Sequence, residues 1–445
     1  MDEYGVIGRA LQLGADYAEV RFEEVLSTEL SVRSGELSAS SKIISGYGVR
    51  VLFNGSWGFS FTTSQDGLEM ALEMAMRAAK LTPSNIKPAE VKPIRDYVRS
   101  PMKVKPSDIS PEEAAKLVRE LYSEIAGDNR VVNAAYTGRA GVKRLITSEE
   151  TEIEWEISSV EFYASVVARN NGRSVQVYNH YGSVERGVEA FDEIKERLKL
   201  GIEGQLRSGL EGVRPPKTGD VPVLLSPLFA GLIAHEALGH LAEADLTPGT
   251  PFKDFLNQRV APEFLGLSDG PVKDGFGNDR YDDEGTPVRK VEILKNGVLN
   301  ELLLDREHAT KWGMEPNGHA RAENYRYPPL IRMRNTYFEP GDASLEEMIG
   351  EIKFGYYLVR SSGGQTEFNS AFTVSVSEAY LIENGEVTKP VAGISASGVA
   401  IDALKGVTML GRELAFENSY CGKGQIAFVS LGGPHMLFER GIRVG

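Results

Sequence analysis

The chain has a single cysteine, Cys421, among its 445 residues. A disulfide framework within the chain is therefore excluded, which is typical of a reducing compartment and predicts a cytoplasmic location. The sequence also lacks a run of about 18 apolar residues that could cross a membrane. Its acidic N-terminus lacks the long apolar core of a signal peptide. We therefore expect no membrane partner.

Positive charge is scarce relative to negative charge. The chain has 49 Lys and Arg residues against 63 Asp and Glu residues, a formal net charge of -14. Broad electrostatic binding to nucleic acid needs a basic surface, so the sequence predicts no nucleic-acid partner. The remaining composition, 41% hydrophobic and 25% charged, is that of an ordinary globular protein long enough for two or three domains.

Residues 1–215 predict an N-terminal α+β domain, with a division into two subdomains at about 1–90 and 105–215 as an alternative. Residues 27–62 alternate apolar and polar residues between turn signals, which favours antiparallel strands. A helix with apolar residues at helical spacing follows at 67–81.

Further along this half, residues 83–108 contain five prolines and predict an extended connector. Ser110, Pro111 and Glu113 form the start signal of a helix. The Asn171-Gly172 pair predicts a hairpin turn. We interpret His180, in that hairpin, as an ordinary surface or hairpin histidine. A charged amphipathic helix then ends this half.

The polar segment 211–220 predicts a domain boundary, and residues 220–445 predict a β-rich C-terminal catalytic domain. Within it, Ser226 followed by Pro227 indicates a helix start, so we expect a helix over about 227–242. Short helices are expected within 344–352 and 396–407. The predicted fold class is α+β: an N-terminal mixed domain with antiparallel strands, and a β-rich domain that carries this helix.

The expected helix holds the most informative residues, His235, Glu236 and His240. In the H-E-x-x-H signature of zinc peptidases the histidines are four residues apart, about 40° around an α-helix. Here they are five apart, about 140° on a regular helix. A π-type turn would bring them into line. Alternatively the helix ends or distorts at Gly239, which the sequence supports more directly. In both cases the helix must depart from α geometry between the histidines.

A peptidase metal site needs three protein ligands and an open position for water. Glu236 is placed as the general base for that water. Glu243 could be the third ligand or a hydrogen-bonding partner, and Asp245 is interpreted as a solvated helix end. Cys421 could present a thiolate from a turn, favoured by Lys423; an inert buried cysteine remains the alternative.

Segments along almost the whole chain resemble the TldD/PmbA family, and within it the TldD side. These segments are residues 16–23, 46–62, 235–243, 281–287, 324–341, 363–387 and 421–425.

The resemblance implies an H-E-x-x-x-H metallopeptidase. His235, His240 and Cys421 would bind the metal, and Glu236 would be catalytic. Zn²⁺ is the expected cofactor, although Fe²⁺ also suits such ligands. The resemblance further implies a TldE/PmbA-like partner subunit, with a homodimer as the alternative. The expected substrates are unfolded or extended polypeptides, which would bind by adding a strand to an exposed sheet edge.

Two other interpretations remain. The chain could be a non-enzymatic regulatory or binding subunit of a TldD/TldE-type complex, although a pure binder has no use for all four site residues. A nucleic-acid-associated regulator is the weakest alternative because the chain is acidic.

Several segments outside the motif carry lesser predictions. Residues 363–367 and 324–329 are candidate walls of the substrate cleft or simple turns, and 274–285 is read as an acidic surface turn rather than a calcium loop. His308 is expected to be exposed on a helix and His435 to be structural. His319 is the histidine most suited to a further role in the site.

Overall fold

The computed structural model describes residues 1–81, 84–170, 172–250, 252–367 and 370–445. Pro83 of the predicted connector and Asn171 of the predicted hairpin turn lie outside these residues. Among the described residues, no helix combines the length and apolarity needed to cross a membrane.

The N-terminal half consists of long strands with helices packed against them. The helices are α1 (Glu3–Gln12), α2 (Leu68–Leu81), α3 (Pro111–Ile125) and α4 (Phe191–Glu211). The strands are β1 (Tyr17–Arg33), β2 (Glu36–Phe53), β3 (Ser56–Thr62), β4 (Arg95–Val98), β5 (Arg130–Thr147), β6 (Glu152–Asn170) and β7 (Arg173–Ser183).

In the described part of this half, the strands form one seven-stranded sheet in the order β3-β2-β1-β5-β6-β4, with β7 also paired to β6. The predicted antiparallel pairing of β1, β2 and β3 is confirmed. The proline-rich connector contributes β4, which runs parallel to β6.

The predicted helices of this half are confirmed. Helix α2 buries the apolar face read from its periodicity. Helix α3 begins at Ser110, whose side chain accepts from the Glu113 amide while Glu113 binds back to the Ser110 amide. Helices α3 and α4 share a core with β5, β6 and β7, and α1 and α2 share another with β1 and β2.

The C-terminal half is rich in short strands, as predicted. The helices are α5 (Pro227–Ile233), α6 (His240–Ala242), α7 (Phe252–Phe255), α8 (Arg306–Trp312), α9 (Leu345–Gly350) and α10 (Ala400–Leu404). The strands are β8 (Gly219–Asp220), β9 (Val223–Leu225), β10 (Leu267–Asp269), β11 (Val291–Lys295), β12 (Val298–Leu299), β13 (Ala320–Arg321), β14 (Leu330–Ile331), β15 (Asn335–Phe338), β16 (Phe354–Thr366), β17 (Ala371–Glu383), β18 (Glu386–Val391), β19 (Ser395–Val399), β20 (Val407–Leu410), β21 (Ala415–Gly422), β22 (Ile426–Gly433), β23 (Met436–Phe438) and β24 (Arg443–Val444).

Two large sheets are described in this half. One has the order β12-β11-β10-β15-β22-β21, and the other has the order β20-β23-β9-β16-β17-β19-β24-β8, with β18 on β17. Helix α5 contacts β15, β21 and β22 of the first sheet and β9 and β16 of the second. The predicted α+β class is confirmed, whereas the two-domain division near residue 215 stays a prediction.

Close approach of α5 to β22 depends on Gly231. A Cβ atom on Gly231 would lie 2.3 Å from the amide nitrogen of Gly432, so any side chain there would collide with backbone. Glycine at position 231 therefore lets the helix lie directly on β22, the strand that pairs with β21.

The acidic segment 274–285 is not the surface turn that we predicted. Asp282, Asp283 and Glu284 are only 1%, 5% and 3% exposed. Cations from the N-terminal sheet pair with two of them: Lys143 Nζ lies 2.8 Å from Asp283 Oδ1, and Arg50 Nη1 lies 2.7 Å from Glu284 Oε1. The sequence of the segment itself does not reveal partners that lie more than 130 residues earlier.

Candidate metal centre

The helix that carries the two histidines changes its winding between them. It begins after Ser226, whose Oγ accepts a hydrogen bond from the Phe229 amide. It continues through α5, a π-helical segment at Ala234–Gly239, and α6. We call residues 227–242 the motif helix. Both its predicted span and its departure from α geometry are confirmed.

Of the two causes considered, the π-type turn is confirmed, and the end or distortion at Gly239, which the sequence supported more directly, is wrong. Gly239 has φ -59° and ψ -48°, an ordinary right-handed helical conformation. The helix therefore does not end or distort at this glycine. Instead the π segment, with its i to i+5 hydrogen bonds, accommodates the additional residue.

The winding brings the two imidazoles to one side of the helix. The ring centroids of His235 and His240 are 5.1 Å apart with an interplanar angle of 80°. Cys421 Sγ lies 3.4 Å from His240 Nε2. One ligand atom from each of the three side chains lies within 4.8 Å of the others. The structure thus brings together the three residues predicted as metal ligands.

Cys421 reaches the histidines from a strand rather than from a turn. It lies in β21 opposite Ala427 of β22, and the turn begins after Gly422. It is 5% exposed, and His235 is 2% exposed. The expectation that Cys421 itself lies in a turn was wrong, because strand β21 continues past Cys421 to Gly422.

The thiol and the imidazoles shift one another's protonation. Burial by itself would raise the pKa of Cys421, but hydrogen bonds and charge from His235 and His240 lower it to about 4. Burial would lower the pKa of His240, but its hydrogen bonds to Cys421 and Glu243 raise it to about 10. In the metal-free protein these two groups therefore form a thiolate–imidazolium pair at neutral pH.

Three charged residues surround this pair. Glu243 Oε2 lies 2.8 Å from His240 Nδ1, so Glu243 is a hydrogen-bonding partner of the histidine and lies outside the three-ligand cluster. Lys423 pairs with Asp245, with Nζ 2.9 and 3.0 Å from its two carboxylate oxygens. Asp245 is thus an ion-pair partner rather than a solvated helix end. Lys423 faces carboxylates, and the low pKa of Cys421 arises chiefly from His235 and His240.

The donors in this cluster fit a divalent zinc ion. Two imidazoles and a thiolate are ligands that zinc prefers. His235 Nδ1 is buried and has no hydrogen-bond partner among the described residues. Within the described ranges, this cluster is the one group of three His, Cys, Asp or Glu side chains close enough to hold a metal. Glu236 lies in the same π segment and is partly exposed.

The other histidines lie outside the cluster. His180 is on the β6–β7 hairpin as expected, but it is not a surface residue, because Glu161 and the Asn418 carbonyl bind its two ring nitrogens. His308 is on α8, but its side chain is only 14% exposed.

His319 and His435 are held by polar neighbours. His319 is fully buried, between Asp269 and Asn317, and is not part of the three-ligand cluster. His435 Nε2 lies 2.9 Å from the Tyr357 hydroxyl oxygen. Its structural role stays a prediction.

The predicted cleft walls lie near the motif helix and near the turn after Cys421. A Cβ atom on Gly364, in the 363–367 segment of β16, would lie 3.7 Å from Leu232 on the motif helix. Loop 324–329 contacts that turn, since Gln425 Nε2 donates to the Pro328 carbonyl at 2.7 Å. Their role as walls stays a prediction.

Sequence analysis missed Arg332. This arginine is 1% exposed and donates to the carbonyls of Cys421 and Gln425. The sequence did offer a signal, because Arg332 lies inside the apolar run at 330–333. Such a run is expected to be buried, and a buried arginine needs specific partners.

Comparison with known proteins covers nearly the whole chain. Models of the PmbA/TldA metallopeptidase family match in three parts: domain 1 at residues 18–79, the central domain at 104–200 and the C-terminal domain at 218–445. A zinc metalloprotease TldD homolog of Saccharolobus solfataricus is 34% identical, over 99% of this chain and 98% of that protein. A metalloprotease of Methanocaldococcus jannaschii is also 34% identical, over 96% of each chain.

Among solved structures, TldE from Thermococcus kodakarensis has the same fold. Its TM-score is 0.79 at 22% identity, over 99% of both chains.

Proposed function

This chain belongs to the PmbA/TldA (TldD/PmbA) metallopeptidase family and is a metallopeptidase; from that premise we propose that it uses zinc to hydrolyse peptide bonds in extended polypeptides. We propose that His235, His240 and Cys421 hold the metal and that Glu236 is the general acid and base. The single observation that carries this assignment is the convergence of three ligand atoms within 4.8 Å from two separate elements.

Each site residue has a distinct task in this mechanism. When bound, a divalent cation supplies Lewis acidity to water and to the scissile carbonyl. Glu236 follows the first histidine directly and is partly exposed, so it can accept a proton from the attacking water. It then delivers that proton to the leaving amine. His240 is oriented by Glu243, which occupies its Nδ1 and leaves Nε2 directed at Cys421.

An unpaired sheet edge supports the proposal of extended substrates. Strand β16 pairs with β9 only at Tyr356–Leu358, yet it continues to Thr366. Beyond residue 358, that edge has no strand partner in the described part of the chain, and at Gly364 it lies beside the motif helix. A peptide added there as a strand would be held by main-chain hydrogen bonds with little sequence preference.

The test measures metal content and cleavage of an unstructured peptide. Glu236→Ala and Glu236→Gln should retain metal but lower kcat about 10²–10⁴-fold, because neither side chain accepts the proton. Glu386→Ala, which changes an exposed glutamate on β18, is the matched control and should cleave normally.

Each contrary outcome identifies a different error. Gently purified protein without metal would contradict the metal site, and full activity in Glu236→Gln would contradict the general base. Wild-type protein that holds metal but cleaves nothing, alone or with a partner subunit, would support the alternative of a binding subunit.

We further propose that a second subunit, either TldE/PmbA-like or another copy of this chain, completes the working assembly in the cytoplasm. The fold shared with TldE supports this proposal. Light scattering on the purified chain distinguishes a homodimer from a monomer. A monomer that also gains neither mass nor activity with a TldE-like subunit would contradict the proposal.

A further inference from the structure

The third ligand comes from a different element than the two histidines, and charged side chains join these elements. Cys421 lies near the end of β21, directly before the turn at 423–425. The motif helix ends at residue 242, and Glu243 and Asp245, which follow it, lie beside this turn. Two cations face the helix end: Lys423, which belongs to the turn, and Arg332, which lies beside it.

Lys423 links the turn to both carboxylates at the helix end. Its Nζ pairs with Asp245 and lies 3.4 Å from Glu243 Oε1. The other oxygen of Glu243 is the one that binds His240 Nδ1. A single carboxylate therefore connects the second histidine with the turn that follows the cysteine.

Arg332 fixes the same turn through its backbone. Its Nη2 and Nη1 donate to the carbonyls of Cys421 and Gln425, at 2.5 and 2.6 Å. Its Nε lies 3.9 Å from Glu243 Oε1. Both Nε and this oxygen are buried without a hydrogen-bond partner among the described residues. The guanidinium thus holds both ends of the turn while it faces the carboxylate.

This arrangement does more than neutralise a buried charge. Glu243 is 0% exposed, and a carboxylate at that depth is costly without a paired cation. One cation would suffice for pairing. Arg332 also binds the Cys421 and Gln425 carbonyls, and Lys423 ties the turn that follows Cys421 to the helix end. Each cation therefore couples the position of Cys421 to the position of His240.

We propose that Glu243, Lys423 and Arg332 form a clamp that positions His240 and Cys421 relative to each other for metal binding. The clamp residues are positioning residues. Glu243 hydrogen-bonds His240 and Arg332 hydrogen-bonds the Cys421 carbonyl, whereas Lys423 acts through the carboxylates of Glu243 and Asp245. This inference rests on the proposed metal site. It adds that the affinity of the site depends on a salt bridge between the helix end and the strand turn.

The experiment uses Co²⁺ bound to the full-length protein, because absorption from thiolate-to-cobalt charge transfer reports directly on coordination by Cys421. Affinity is measured by competition with a chromophoric chelator. Lys423→Met and Glu243→Gln should bind Co²⁺ about 10–100-fold more weakly, with a reduced or shifted charge-transfer band. Lys423→Arg keeps the cation and should remain near wild type.

Lys295→Met is the matched control, since Lys295 pairs with Glu292 on the exposed surface of β11 and should leave affinity and band unchanged. Circular dichroism establishes that each variant folds. If Glu243→Gln does not fold, Lys423→Met and Asp245→Asn carry the test, because their side chains are partly exposed. Wild-type affinity and an unchanged band in these variants would overturn the clamp but not the metal site. Wild-type protein without any charge-transfer band would overturn the metal site itself.

Discussion

The pairing of Cys421 with His240 determines how metal binding responds to pH. With a pKa of about 4, Cys421 is already a thiolate at neutral pH. With a pKa of about 10, His240 still carries its second proton. An imidazole must be neutral to bind a metal, so an ion held by the proposed ligands would displace a proton from His240 but none from Cys421.

Metal affinity should therefore rise with pH, about tenfold per unit between pH 7 and 9, with one proton released from His240 per ion. The rise should level off above pH 10, where free His240 has already lost this proton. Calorimetry in buffers of different ionisation enthalpy counts the released protons. Affinity that does not change across this range would contradict the thiolate–imidazolium pair.

The π segment and the glycine contact place the motif helix where a regular helix would not fit. A Cβ atom on Gly231 would lie 2.3 Å from the Gly432 amide nitrogen, so a larger residue there would push the helix and β22 apart. This contact therefore sets the distance between the motif helix and the strand pair β21–β22, which contains Cys421.

Gly231→Ala should destabilise the fold by about 1–3 kcal/mol, because the added methyl group overpacks a backbone contact. It should also weaken metal binding, since the helix moves away from Cys421. Chemical denaturation and chelator competition measure the two effects. Gly8→Ala is the control, because Gly8 lies in α1 with open space around its Cα. That change should stabilise the fold by about 0.5–1 kcal/mol. Equal effects at both glycines would contradict the close contact.

Local signals predicted the helices well. The capping box at Ser110 and the Ser226-Pro227 start each mark an observed helix, because capping depends on residues three or four positions apart. The choice between a π segment and a break at Gly239 was not available from the sequence. It depends on the packing of the helix between two sheets, which no local pattern encodes.

Buried ion pairs join the two halves of the chain. Burial alone would raise the pKa of Asp283, but Lys143 and Arg21 lower it to about 2. Its value in an unfolded chain is near 3.8. The folded pKa is the lower one, so the pair contributes stability above about pH 4 that is lost as the pH falls toward 2.

Lys143→Met should destabilise the protein by about 3 kcal/mol at pH 7, because it leaves Asp283 buried without its main cation. It should also move acid unfolding to higher pH. Adding Asp283→Asn removes the unpaired charge and should restore much of the loss. Thermal unfolding as a function of pH measures both effects. A double variant no more stable than Lys143→Met would contradict this account.

The same ion pairs explain where sequence analysis failed at long range. Asp282, Asp283 and Glu284 have the composition of a solvated turn, and only the folded chain shows the N-terminal cations that pair with two of them. The four proposed site residues were identifiable because the family resemblance places Cys421 with the histidines. Spacing alone could not connect positions 240 and 421. Arg332 was missed because its partners are backbone carbonyls, which have no sequence signature.

Cys421 lies in β21, late in the chain, and this position has a consequence during synthesis. A growing chain that has not yet reached this strand already contains both histidines and Glu236, but it lacks the thiolate ligand and the turn that secures it. The complete centre that we propose can therefore form only after β21, and with it most strands of both large C-terminal sheets, has been synthesised. A ribosome-bound fragment that ends before Cys421 would lack the proposed third ligand, so the proposed hydrolysis would begin only once this late strand has been made.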